Sequence, residues 1–151
     1  MAINFVQGQV AVSDPNPTGP SAISNIKDVN IKVVKLTSAN FGTSAVNTLV
    51  AVLPADATII NMDLFVKTQL AGNSISAATI NVGTASGGTQ FVNGFNAFGT
   101  TGTSQRISPI AGIMQNYNVP LGSDIQVFVG GTATTGNPTS GELYMGIYYV
   151  R

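Results

Sequence analysis

Residues 58–68 read TIINMDLFVKT, and the spacing within this run decides the fold. Ile60, Met62, Leu64 and Val66 form one row, and Asn61, Asp63, Phe65 and Lys67 form the other. A repeat of two is the repeat of a β-strand, whose successive side chains point to opposite faces; a helix would space its apolar residues by three and four. The run is therefore predicted as a strand with one face on a core and the other facing away from it.

The same period recurs on both sides. Upstream, VNIKVVKLT (29–37) puts Ile31 and Val33 on one face with Lys32 on the other, and TLVAVLP (48–54) closes on Pro54. Downstream, ATINVGT (78–84) aligns Ile80 with Val82, and TQFVNGFNAF (89–98) is rich in aromatics. DIQVFVGG (124–131) aligns Ile125, Val127 and Val129, and ELYMGIYYV (142–150) aligns Leu143, Met145, Ile147 and Tyr149. Turn residues separate the runs: Ala71-Gly72-Asn73, Ser86–Gly88, Thr100–Thr103 and Gly130–Gly141. The best helical candidate, Gln105–Tyr117, is interrupted by Pro109 and Gly112 and allows a turn or two. Seven or eight short strands with Gly-rich turns predict an all-β chain, an antiparallel β-sandwich of jelly-roll or Greek-key type, with a β-barrel as the alternative.

Residues 1–27 differ from the sandwich domain expected over 28–151. Ile3, Phe5, Val6, Val10 and Val12 are followed by SDPNPTGPSAISN, with Pro15, Pro17 and Pro20 close together. Proline removes backbone donors and disfavours helix in the residue before it. Two readings stand: an extended N-terminal arm with a sticky tip, or a first edge strand over Ile3–Val12 joined to the domain by a loop. The opening MAINFVQGQVAVSDP has no positive charge before Lys27 and no sustained apolar run, so it does not read as a signal peptide.

Composition narrows the function. The 151 residues include no Cys, His or Trp, and six basic and six acidic side chains cancel to zero net charge. Without Cys or His there is no thiol nucleophile, no usual catalytic triad and no ordinary zinc site. Neutrality without a basic run removes the attraction that binders of nucleic acid or anionic membranes rely on, and no apolar stretch is long enough to span a bilayer. The carboxylates Asp56, Asp63, Asp124 and Glu142 are not paired for acid–base chemistry; Asp124 and Glu142 each precede an apolar strand and read as solvated end charges. The glycines of GTASGG (83–88) read as turn residues, since a phosphate loop would need a following helix. Neither a metal nor a cofactor is expected. Only 8% of residues are charged, and after Lys67 only Arg106, Asp124, Glu142 and Arg151 are. So few charges on a neutral chain leave little protection against association, which predicts a homo-oligomer.

The last run carries the same message. Opposite its Leu143, Met145, Ile147 and Tyr149 row stand Tyr144, Tyr148 and Val150, so neither face is polar. Such a strand is covered on both sides, by a partner subunit or by the chain's own arm or a long loop.

LPADATIINMDLFVKT (53–68), ATINVGTASGGTQFV (78–92) and SGELYMGIYYVR (140–151), preceded by a Pro-rich arm, resemble the small β-sandwich virion proteins of tailed bacteriophages, and among them the capsid decoration (cement) proteins. The resemblance spans residues 28–151 and implies no catalysis. It implies a homotrimer on the outer surface of the capsid, bound to the major capsid protein, with an N-terminal arm reaching neighbouring subunits. On these readings the contact residues are Ile3, Phe5, Val6, Val10, Val12, Tyr144, Tyr148 and Val150. The alternative is a phage fibre, tail-tip or surface module that binds a receptor or glycan. Such a module should carry exposed aromatics beside Asp and Asn on loops, whereas these tyrosines fall in a strand.

Overall fold

The computed structural model describes residues 2–6, 9–13, 28–107 and 123–151, the first two stretches by their backbone pairing. Pro15, Pro17 and Pro20 lie outside the described residues, as does most of Gln105–Tyr117. Among the described residues there are eleven strands: β1 (Ala2–Val6), β2 (Gln9–Ser13), β3 (Val29–Thr37), β4 (Phe41–Gly42), β5 (Val46–Leu53), β6 (Thr58–Ala71), β7 (Ala77–Gly83), β8 (Val92–Asn96), β9 (Thr103–Arg106), β10 (Ile125–Thr134) and β11 (Ser140–Val150).

Two sheets form the sandwich. One runs β3-β11-β6-β9; the other runs β4-β10-β7-β8, with β5 also paired to β10. Apart from the two-residue β4, which pairs parallel to β10, all of these ladders are antiparallel. Counting the eight long strands from β3, the first sheet holds the first, eighth, third and sixth, and the second holds the second, seventh, fourth and fifth. This interleaving is the jelly roll: the chain crosses repeatedly between layers, so sequence neighbours become facing partners. A short 3₁₀ turn, Ser38–Asn40, carries the chain from β3 towards β4, and Asn40 holds it by accepting from the Thr37 amide (2.8 Å) and donating to Thr48 Oγ1 (3.1 Å). At the other end Asp124 Oδ1 accepts from the Ala55 amide (2.8 Å), joining the β5–β6 turn to the start of β10.

The core lies between the sheets. Met62, Leu64 and Val66 from β6 meet Leu143, Met145 and Ile147 from β11, with Ile80, Val82, Val127 and Val129 facing them; all are essentially inaccessible. Each such side chain contributes about 1.5–3 kcal/mol by leaving water. The alternation in 62–66 therefore places its residues as expected. Ile60 departs from it. Tyr148 pairs with Asn61 but Tyr149 with Ile59, so one extra residue sits in β6 at this point. The bulge reverses the parity of the strand: Ile59 is buried and Ile60 turns outward, exposed.

In β3 Ile31 and Val33 share one face, as expected, and burial decides which way that face points. Val34 and Leu36 point inward opposite Met145 and Leu143, so the Ile31 and Val33 row faces outward. β9, with the sequence TSQR, has no apolar row; it is a strand because it ladders onto β6, Asp63 to Arg106 through Val66 to Thr103.

β1 and β2 pair antiparallel and make up a two-stranded sheet of their own. The register pairs Ile3 with Val12 and Phe5 with Val10, so positions 3, 5, 10 and 12 share one face, while Val6 pairs with Gln9 in the other row.

Candidate functional site

The outer faces of the two sheets differ in chemistry. On the second sheet, backbone amides are tied to asparagines: Asn47 Oδ1 accepts from Gly87 in a turn (2.9 Å) and Asn81 Oδ1 from Gly94 of β8 (2.6 Å). The β3-β11-β6-β9 face is instead apolar and aromatic at one end and charged at the other. The ladders align it in rows across the strands: Val29 with Val150, Ile31 with Tyr148 and Asn61, Val33 with Gly146, Asp63 and Arg106, and Lys35 with Tyr144, Phe65 and Ser104.

At the apolar end Val29, Ile31 and Val33 are 59%, 55% and 62% exposed, on a strand that forms the edge of its sheet. Val150 and Tyr148 are half-buried beside them, and Phe65 is exposed two rows away. Tyr148 and Asp63 share the space above Gly146. A Cβ at position 146 would run into Asp63 Oδ1 and come within 3.1 Å of the Tyr148 ring. The Tyr148 hydroxyl donates to Asp63 Oδ2 (2.7 Å), and this bond to a carboxylate holds its pKa above the usual 10.0. Glycine here leaves the room that the Asp63 carboxylate and the Tyr148 ring occupy against the β11 backbone.

The charged end centres on Glu142. Tyr144 donates its hydroxyl to Glu142 Oε1 (2.5 Å), Lys67 Nζ lies 2.9 Å from the same oxygen, and Lys35 Nζ lies 3.3 Å from Oε2. Lys67 also sits 5.8 Å from the Tyr144 ring centroid. The Tyr144 hydroxyl first, then Lys67, hold the Glu142 carboxyl down to about 2, and Glu142 in return raises the Lys67 pKa. Glu142 is therefore not a solvated end charge. It lies inside β11, and its partners come from β3 and β6, which the sequence separates from it by long stretches. The lysines are more than half exposed, so the pairs orient side chains more than they add stability.

Of the residues expected to make contacts, Tyr144, Tyr148 and Val150 are brought together on this face, all half-buried. Their cover is partly the flanking strands, which supply Val29, Ile31, Val33, Lys35, Phe65 and Lys67. Val29, Ile31 and Val33 were not singled out as contact residues from sequence; the exposed run of β-branched residues on an edge strand is the signal that finds them. Ile3, Phe5, Val6, Val10 and Val12 belong to the separate two-stranded sheet. Among the described residues no three of His, Cys, Asp and Glu gather as metal ligands would.

Three solved structures contain chains with this architecture. A chain of the Cyanophage Pam1 capsid asymmetric unit matches with a TM-score of 0.58 at 16% identity, over 99% of this chain and 97% of that one. A chain of the capsid of Ralstonia phage GP4 matches with 0.54 at 15% identity, over 84% and 87%. A chain of the acidic stable capsid structure of Helicobacter pylori bacteriophage KHP30 matches with 0.50 at 11% identity, over 83% and 94%. At these identities the likeness is one of fold. No protein-family model matches the sequence, and no curated protein matches it.

Proposed function

We propose that this chain is a non-enzymatic structural component of a phage virion, which decorates the outer surface of the capsid as a homotrimer and stabilises the shell by binding the major capsid protein. The observation that carries the reading is the exposed face of Val29, Ile31, Val33 and Phe65 beside Tyr144 and Tyr148. A cluster of exposed apolar side chains on a neutral, charge-poor chain is suited to a protein partner. The fold likeness supplies the setting: the matched Pam1 chain is covered almost end to end, so it is a small subunit of comparable length within a capsid asymmetric unit.

The receptor- or glycan-binding alternative is less well supported. The hydroxyls of Tyr144 and Tyr148 are taken up by Glu142 and Asp63, and both rings belong to a strand rather than to loops. A sugar platform would present such groups free.

The test is addition of purified protein to shells assembled without it, followed by imaging and by heating. The expected result is co-sedimentation, density on the outside of the shell at threefold positions, and rupture at a higher temperature than for bare shells. Failure to bind, or density confined to the tail, would overturn the reading.

A further inference from the structure

Asparagine followed by glycine occurs once in the chain, at Asn93-Gly94. The pair lies in β8, which ends the second sheet among the described residues. Val92 pairs with Val82 and Phe95 with Ile80, so Asn93 and Gly94 together stand opposite the single Asn81 of β7. That is a bulge, where an extra residue interrupts the ladder and bends the strand. Both bulge residues are exposed, Gly94 takes a φ of 69°, and nothing lies within 4 Å of the place a Cβ would occupy there. The Gly94 amide donates to a side chain, Asn81 Oδ1 (2.6 Å).

We propose that Asn93 is a site of spontaneous covalent modification, converted through a succinimide with Gly94 to aspartate or isoaspartate, and that Asn81 is a positioning residue that slows the step by holding the Gly94 amide in the strand. The inference is independent of the reading of the β3-β11-β6-β9 face.

The Gly94 nitrogen gives up its proton to solvent and attacks Asn93 Cγ, forming a bond to it. The bond from Cγ to Nδ2 breaks, and that nitrogen leaves as ammonia. Water then opens the ring. Breaking the new bond gives aspartate; breaking the bond between the Asn93 carbonyl carbon and the Gly94 nitrogen gives isoaspartate, in which the chain runs through the side chain. One water is consumed and one ammonia released, with no oxidant or reductant.

The bulge favours this step in three ways. Glycine has no Cβ to shield the attacking nitrogen. Attack needs Asn93 to rotate out of extended geometry, and a strand with one neighbour and an interrupted ladder opens at less cost than a central one. Exposure admits the water. The Asn81 bond opposes it, since the Gly94 amide must leave Oδ1 before it can react. Other asparagines lack this combination. Asn73 precedes serine and donates to the Asn137 carbonyl (2.7 Å), while Asn47 and Asn96 accept backbone amides and precede Thr48 and Ala97.

The location gives the change its consequence. β4, β5, β7, β8 and β10 contain no ionisable side chain, so the new carboxylate is the first charge on any strand of this sheet and takes a chain of zero net charge to one negative. Isoaspartate also adds a methylene to the backbone between the Val92 and Phe95 pairs.

The test incubates the full chain in mildly alkaline buffer at physiological temperature and follows it by intact mass and peptide mapping, with circular dichroism to confirm the fold. The expected result is the mass gain of amide-to-acid conversion at Asn93 before any other asparagine. Asn81→Ala should raise that rate about fivefold, which is about 1 kcal/mol, the net worth of one hydrogen bond. Asn81→Asp, which keeps an acceptor for the Gly94 amide, should stay near the wild-type rate. An Asn93 that stays intact, or that another asparagine overtakes, overturns the site. A folded Asn81→Ala variant that reacts at the wild-type rate overturns the role of Asn81. The same role requires the folded wild type to convert at Asn93 more slowly than the chain unfolded in urea, and equal rates overturn it without any variant.

Discussion

Replacing Val29, Ile31 and Val33 together by Thr should weaken assembly about a hundredfold without unfolding the sandwich. In the single chain these side chains are 59%, 55% and 62% exposed, so more than half of each remains to be removed from water. Full burial of a Val or Ile is worth about 1.5–3 kcal/mol, which leaves about 1–1.8 kcal/mol per side chain for the contact. Threonine keeps the β-branch and with it the preference for a strand. It loses apolar surface and adds a hydroxyl, which the contact must desolvate, so each change costs about 1 kcal/mol and the three together about 3 kcal/mol. At 1.4 kcal/mol per decade that is about a hundredfold. Light scattering over a dilution series measures the assembly. Circular dichroism, and thermal unfolding at concentrations where the wild type is dissociated, check that the monomer is intact, since association itself would shift the melting point. Leu49→Thr with Val52→Thr is the control: both are exposed on β5 of the other sheet, and their replacement should leave oligomer mass unchanged. A triple variant that assembles at the wild-type concentration, or a control that loses assembly equally, would refute the reasoning.

Leu64 is fully buried between the sheets, and Leu64→Ala should cost about 2–5 kcal/mol, read as a lower denaturant midpoint at unchanged slope; a loss under about 1 kcal/mol would contradict the packing described. Gly131 sits where a Cβ would run into the backbone carbonyl of Asn40, which is fixed by the β4–β10 pairing, so Gly131→Ala should cost about 1–3 kcal/mol, and a neutral result would mean that the turn yields freely. Glu142 is held at about 2 against its usual 4.5, so the unfolded chain takes up that proton first as pH falls. Its contribution is whole above the unfolded pKa and is lost as pH falls through the folded one. Glu142→Gln should therefore be less stable than the wild type at neutral pH, with the two converging as pH falls from about 4.5 towards 2; a difference that stays constant over this window would exclude the pairing as its source.

Much of the fold can be read along the chain, because a period of two is a local property. Met62, Leu64 and Val66 announce a strand with an inward row, and Leu143, Met145 and Ile147 do the same with Tyr144, Tyr148 and Val150 behind them. The low charge and the doubly apolar last strand lead only to the expectation of an associating surface. What the tertiary structure alone decides is how those rows meet. Ile60 faces outward because a bulge against Tyr148 and Tyr149 adds a residue to β6, and no residue within 58–68 signals it. In β3 both rows contain β-branched residues, so periodicity cannot choose between them; pairing with β11 sends Val34 and Leu36 inward and leaves Val29, Ile31 and Val33 outside. β9 has no apolar row and exists as a strand only through its ladder to β6. Glu142 acquires Lys35 and Lys67 because β11 is flanked by β3 and β6 in a jelly roll, and strand order depends on contacts between distant segments. Side-chain alternation is set by backbone geometry one residue at a time, whereas register and strand order are set by which surfaces can be buried together.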